Sequence, residues 1–316
     1  MVDRRESVEQ PWVDPVLASP TVPELPDLTI LGEAFQAALV GRPLSGWATP
    51  QSLVVRGTGG EAAAMLSKDL DAVERRGKFL TFVLGDDRIR INPMLTGRLG
   101  LAPPGSKPLK QTAAVMTFGP RSPRPRLTRR GSRLPPWTRS APWLPPDEAS
   151  IELRYRDATR MGKIYLLPAG VERPVAGWDA MGPDADDPKL DVATWRARIA
   201  RHRGELKNVL KDQAFVAGIG NGYSDEILWA AGLSPFRKRT TLAGEEIDAL
   251  YDATREVLDW AVTELRQRVP PRFEVEVRGF LRVHRKGGTP CPRCGGPLSE
   301  ISPGGFVTTW CRTCQP

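Results

Sequence analysis

Every cysteine of the chain lies in its last 26 residues: Cys291, Cys294, Cys311 and Cys314, within CPRCGGPLSEISPGGFVTTWCRTC. The spacing C-x2-C-x16-C-x2-C matches the template of a zinc site. Thiolates are good zinc ligands, and four of them close a tetrahedral structural site with no open position. Each CxxC turn offers two sulfurs to one ion, and the residues between suit a β-hairpin. A disulfide-stapled secreted domain distributes its cysteines differently. A redox role is the rival reading, but catalytic CxxC motifs come singly near a βαβ unit. A closed metal site holds structure, so this finger is expected to bind something rather than react. Arg285, Lys286, Arg293 and Arg312 around it suggest phosphate.

The remaining length bounds the architecture. A chain of 316 residues fits two domains with a small appendage, and 40% hydrophobic residues suffice for real cores. No apolar run approaches the ~18 residues of a membrane span. The start, MVDRRESVEQPWVDP, lacks the apolar stretch of a secretory signal. These features lead to the expectation of a soluble cytoplasmic protein with no membrane partner. The net charge is +8. Within residues 1–22, Arg4 and Arg5 face Asp3, Glu6, Glu9 and Asp14, leaving +10 on the rest. A basic surplus favours a polyanionic partner, because Lys and Arg at phosphates release condensed counterions. An arginine-rich genome would give the same composition.

Residues 1–22 carry Pro11, Pro15 and Pro20 and little pattern, and read as a disordered extension. Leu28, Leu31, Phe35 and Leu39 recur at helical spacing over 27–40, with Asp27 as N-cap and Gly41 as stop. Strand-like runs follow: SLVVRG (52–57), two strands around Gly85-Asp86-Asp87 in 78–95, LKQTAAVMTF (109–118), IELRYRD (151–157) and KIYLLPAG (163–170). Residues 119–150 hold eight prolines and seven arginines, and predict a mobile loop that packs no core. Such a loop could track phosphates or have no role. Helical patterns then cover 191–212, 224–232 and 244–268, the last with a stripe from Ile247 to Leu265. The expected fold is α+β and multidomain. An N-terminal β-sandwich domain with an early helix spans 23–170 and carries the 119–150 insertion. A helical domain spans 185–270, and a zinc-finger β-hairpin 271–316.

A second constellation is NVLKDQAFVAGIGNGYSDEILWAAGLSPFRK (208–238). A helix ends near Asp212, AGIGNG turns tightly, and another helix begins. Gly218, Gly220 and Gly222 permit positive φ and let another backbone come close. Amides at a turn entering a helix form an anion site. Asn221 adds a side-chain donor and Lys207 adds charge. A glycine-rich helical hairpin without ligand is the alternative.

This segment resembles the helix–two-turns–helix of the formamidopyrimidine-DNA glycosylase and endonuclease VIII family. A zinc finger at the C-terminus is that family's arrangement. PELP (23–26) resembles its N-terminal signature, and RRGKFL (75–80) the segment carrying its lysine, here Lys78. INPMLTGRL (91–99) and RDATRMGKIYL (156–166) match more loosely. The likeness runs from residue 23 to 316 apart from the insertion.

The resemblance implies a monomeric DNA repair glycosylase that excises oxidised bases from double-stranded DNA and cleaves abasic sites by β-elimination. Its nucleophile is an N-terminal proline amine, which attacks C1′ and passes through an iminium. Here that proline is Pro23, with Glu24 as proton donor and acceptor and Lys78 near the reacting phosphate. Lys207, Asn221 and Arg160 would contact DNA, and Cys291, Cys294, Cys311 and Cys314 would hold one structural Zn2+. A proline nitrogen inside a peptide bond is an amide with no lone pair to give. Pro23 can therefore serve only once residues 1–22 are absent. Initiation at Val22 from a GUG codon, followed by methionine removal, would bare it; a genuine extension implies an inactive or processed enzyme.

The sequence departs from the family pattern in places. The positions that fill the gap left by the extruded nucleotide map near Leu95, Thr159 and Met161, so the central arginine is missing. Phe306 stands where the family's finger carries an arginine that assists δ-elimination. The link from Arg268 to Cys291 is short, which favours oxidised pyrimidines or abasic sites over 8-oxoguanine. A non-catalytic damaged-DNA-binding protein on the same scaffold is the second reading. An RNA-binding helix-turn-helix protein with a zinc ribbon is a third, and leaves PELP and Lys78 unexplained.

Overall fold

The computed structural model describes residues 22–123 and 135–316. Residues 1–21, and 124–134 of the arginine/proline-rich stretch, lie outside the described residues.

The chain opens with helix α1 (Leu25–Leu39), whose buried face includes Leu28, Leu31, Phe35 and Leu39. Among the described residues nine strands follow: β1 (Leu44–Ala48), β2 (Val55–Arg56), β3 (Ala72–Arg76), β4 (Phe79–Leu84), β5 (Asp87–Asn92), β6 (Arg98–Ala102), β7 (Thr112–Phe118), β8 (Ile151–Arg156) and β9 (Lys163–Leu167), with a short helix α2 (Gly59–Ala64) after β2. They form a four-stranded sheet ordered β1-β7-β8-β6 and a five-stranded sheet ordered β2-β9-β5-β4-β3. Ile89 and Ile91 of one sheet, Met116 and Leu153 of the other, and Leu28 and Phe35 of α1 belong to one core. β4, FLTFVL, is buried at every residue, whereas β5 alternates as a half-covered strand should.

The helical half contains α3 (Val192–Ile199), α4 (Leu206–Lys211), α5 (Asn221–Ala231) and α6 (Gly244–Arg268). Trp195, Phe215, Tyr223, Leu228 and Leu258 build its own core. The C-terminal hairpin pairs β10 (Ser299–Ile301) with β11 (Thr308–Trp310).

Three expectations need correction. Asp27 is not the N-cap of α1; Glu24 is, and the Asp27 carboxylate in the first turn accepts the Glu24 N–H at 2.8 Å. The single helix expected over 191–212 is two, because the polar run ending in Gly204 supplies no apolar face to continue the stripe. Residues 135–150 do pack. The Arg42 guanidinium is fully buried and donates to the carbonyls of Ala38, Gly119, Pro146 and Ala149. Trp137 and Trp143 contact one another, and Trp143 meets Phe273 edge-on at 5.0 Å. Arginine donors thus satisfy a proline-rich backbone that cannot form ladders of its own.

Candidate functional site

Sequence-distant elements meet at the start of α1. The Glu24 carboxylate is buried and accepts the backbone N–H groups of Gly220 at 2.5 Å, Gly222 at 2.8 Å and Tyr223 at 3.3 Å. These amides open α5, where the helix dipole favours negative charge. The anion site expected at AGIGNG exists, and its anion is a carboxylate of the protein itself. Leu25 N–H also donates to the Gly218 carbonyl at 3.0 Å. A Cβ on Gly220 would sit 2.5 Å from Glu24 Cδ, and one on Gly218 2.7 Å from Leu25 Cβ. The backbone that the glycines let approach is therefore residues 24–25. Gly218, at φ +103°, also needs glycine for its conformation.

A partly buried ion pair fixes the same helix start. Arg278 donates to both Asp27 oxygens at 2.7 Å, to Tyr223 OH at 3.3 Å and to the Val22 carbonyl at 3.5 Å. Its Nε lies 3.1 Å from Glu276, which in turn pairs with Arg98 at 2.6 Å. Arg278 and Tyr223 were not singled out from the sequence. FEVEVRGF shows only an arginine among apolar and acidic neighbours, with nothing to point it back across 251 residues to Asp27.

Lys78 joins this cluster from the two-residue turn between β3 and β4, whose register pairs Arg76 with Phe79. The turn is held from below. Gly77 N–H donates to Asp184 at 2.6 Å, and a Cβ on Gly77 would meet Met181 Sδ at 2.6 Å. Arg75 adds ion pairs to Asp184 and Asp186. Burial pushes the Lys78 ammonium below the usual lysine range; Glu24 opposes that shift, and Lys211 and Arg278 add to it. Pro23, Glu24 and Lys78 are thus grouped where the helical domain meets the sheets.

The other expected site residues lie further out. Lys207 is buried, and its three donors go to Asp225 at 2.6 Å, the Val307 carbonyl at 2.7 Å and Thr308 Oγ1 at 3.0 Å. Asn221 Nδ2 donates to the same Val307 carbonyl at 2.7 Å. Both therefore grip the finger hairpin. Asp225 also takes His284 Nδ1 at 2.7 Å, and Glu226 collects the amides of Arg282, Val283 and His284 at 2.8–2.9 Å. Arg160 sits exposed at φ +57° in a loop shared with Thr159 and Met161. Asp157 ties that loop to the 94–96 turn: it accepts from Thr96 Oγ1 and from the amides of Thr159 at 3.1 Å and Gly162 at 2.7 Å. Leu95 and Met161 thus belong to the two turns that Asp157 ties together.

The four cysteine sulfurs lie within 4.8 Å of one another, with Cys291–Cys314 at 4.0 Å and Cys294–Cys311 at 3.5 Å. Tetrahedral zinc at about 2.3 Å from each sulfur requires sulfurs about 3.8 Å apart, so the set fits such an ion. Trp229 Nε1, from α5, donates to Cys291 Sγ at 3.4 Å. One helix thus holds Glu24 at its start and the cysteine cluster near its end.

Comparison with known proteins agrees with this arrangement. Residues 22–133 match the formamidopyrimidine-DNA glycosylase N-terminal domain, and residues 181–269 the formamidopyrimidine-DNA glycosylase H2TH domain. A formamidopyrimidine-DNA glycosylase from Thermomicrobium roseum is 33% identical over 309 residues, covering 93% of this chain and 99% of that one. The MutM (Fpg) crystal structure from Thermus thermophilus superposes with a TM-score of 0.73 at 27% identity, over 93% of this chain and 98% of that chain. The Lactococcus lactis Fpg, solved with abasic-site-containing DNA, shares the fold at a TM-score of 0.76 and 23% identity, over 93% of this chain and 99% of that chain. With both domains matched and a relative aligned end to end, the chain belongs to the formamidopyrimidine-DNA glycosylase family.

Proposed function

We propose that this chain is a DNA glycosylase and abasic-site lyase, acting as a monomer on duplex DNA that carries oxidised bases or abasic sites. The observation that carries the proposal is the grouping of Pro23 and Glu24 between the amides of α5 and the Lys78 turn. The L. lactis relative's complex with abasic-site DNA supports the partner class.

In this reading the Pro23 nitrogen, freed of residues 1–22, attacks C1′ of the damaged nucleotide. The C1′–N bond breaks, the base leaves with a proton, and an iminium links protein and sugar. Loss of a C2′ proton then expels the 3′ phosphate by β-elimination, and water hydrolyses the iminium. Glu24 exchanges protons with the opening sugar, and Lys78 stabilises charge on the leaving groups. Removing Val22 takes from Arg278 only its 3.5 Å contact and leaves both bonds to Asp27. Extruding the nucleotide costs a few kcal/mol of unstacking, which Leu95 and Met161 offset by filling the gap. Arg160 contacts phosphate directly. Asn221 keeps one amide hydrogen for phosphate, whereas Lys207 acts by holding the finger. One zinc ion on the four cysteines would pin the hairpin and take no part in the reaction.

A specific observation favours the alternative, a non-catalytic damaged-DNA binder: in the full chain the Pro23 nitrogen is acylated by Val22. The test is a panel of duplexes carrying an abasic site, an oxidised pyrimidine or 8-oxoguanine, incubated with protein beginning at Pro23. Incision of the first two with a β-elimination product supports the enzyme. Binding of all three without incision supports the alternative.

A further inference from the structure

Lys211 plays no part in the chemistry described so far. It is the last residue of α4, partly exposed. Among the described residues its ammonium has no hydrogen bond and no ion pair. It lies over the face of Phe306, at 5.7 Å, an aromatic 59% exposed near the tip of the cysteine-bearing hairpin. Its charge acts on both Lys78 and Lys207.

The three ammoniums differ in how they are compensated. Lys207 has Asp225 at 2.6 Å. Lys78 has Glu24 nearby, but that carboxylate is already engaged by three backbone amides. Lys211 has no carboxylate in ion-pair reach among the described residues. Two neighbouring cations, one of them recessed and the other unpaired, repel unless an anion lies between them. The hairpin carbonyl of Val307, beside Phe306, is already taken by Lys207 and Asn221. An ammonium kept beside an aromatic face is held in place without losing its donors.

From this geometry we infer that Lys211 is a phosphate-binding residue: together with Lys78 it grips a backbone phosphate of the strand whose nucleotide faces Pro23. The inference rests on the reading of the site as one for duplex DNA. It adds a contact from the end of α4 and gives Phe306 a role, as the surface that orients the lysine.

The test uses protein beginning at Pro23 and an uncleavable duplex with a tetrahydrofuran abasic analogue, with affinity measured across a salt series. Each phosphate contact contributes a slope of about −0.9 in log K against log salt. Lys211→Met is expected to reduce the slope by about one unit and to weaken low-salt binding roughly tenfold. Lys211→Arg is expected to restore the slope, and both variants to melt with the wild type. An unchanged slope and affinity in Lys211→Met, with wild type still binding and incising, would overturn the assignment alone. A loss in Lys211→Met that Lys211→Arg does not restore also overturns it. A wild-type protein that neither binds nor incises would overturn the reading of the whole site.

Discussion

Glu24 and Gly220 are 196 residues apart in sequence, and their carboxylate and amide meet at 2.5 Å. The contact joins the first residues of the sheet domain to the helix that carries the finger. Replacing Gly220 with alanine puts a methyl group 2.5 Å from Glu24 Cδ. Overpacking of this kind costs about 1–3 kcal/mol. Gly220→Ala is expected to lower the melting temperature by a few degrees and incision by more than tenfold. Thermal unfolding and single-turnover kinetics check the two effects.

Glu24→Gln tests the same contact differently. The amide can accept through one oxygen only, so its NH2 group must face a backbone N–H. A buried donor without an acceptor costs about 1–3 kcal/mol, and the proton carrier is lost. The variant is expected to bind abasic DNA while incising it at least a hundredfold more slowly.

Lys78 carries a stability cost that function explains. Its folded pKa lies below the ordinary lysine value because of burial. Between the folded pKa and about 10.4, the unfolded chain holds a proton that the folded one has released, so stability rises with pH through that window. Lys78→Met removes the penalty. It is expected to melt a few degrees above wild type at pH 7, to lose that advantage as pH climbs through the window, and to incise poorly. Melting curves across pH are the check.

Arg42 separates stability from activity. Its guanidinium is fully buried among carbonyls from α1, the end of β7 and residues 145–149. Arg42→Met leaves those carbonyls unpaired and is expected to cost at least about 1–3 kcal/mol. Incision per folded molecule should stay near wild type, because Arg42 lies outside the site, and this can be measured well below the transition temperature.

Metal removal should act on the whole interface around α5. The purified protein is expected to carry one zinc per chain by atomic emission. Cys294→Ser or strong chelation is expected to lower the melting temperature and abolish DNA binding, since zinc binding and folding are coupled in such hairpins.

Much of this was legible in the sequence because the signals are local. The cysteine spacing, the helical stripe of 244–268 and the Gly85 hairpin each depend on residues near one another. The close approach at AGIGNG was legible too, but its partner was not: nothing around Gly220 names Glu24. The same limit hid the Asp27–Arg278 pair and the Asp225–His284 contact, which form only when distant segments fold together. Proline content misled for residues 135–150, because the arginine that satisfies their carbonyls, Arg42, lies outside the stretch. Lys207 read as a DNA contact, and nothing near it in the sequence showed that its ammonium would meet Asp225 and the Val307 carbonyl.

The proposed attacking atom is the Pro23 nitrogen. The most direct test is borohydride reduction of mixtures of abasic-site DNA with protein beginning at Pro23, with full-length protein, and with a Pro23→Gly, Glu24→Gln double variant. A covalent adduct is expected for the first, mapped by peptide mass spectrometry to Pro23, and none for the other two. An adduct formed by intact full-length protein, or mapped to a lysine, would contradict it.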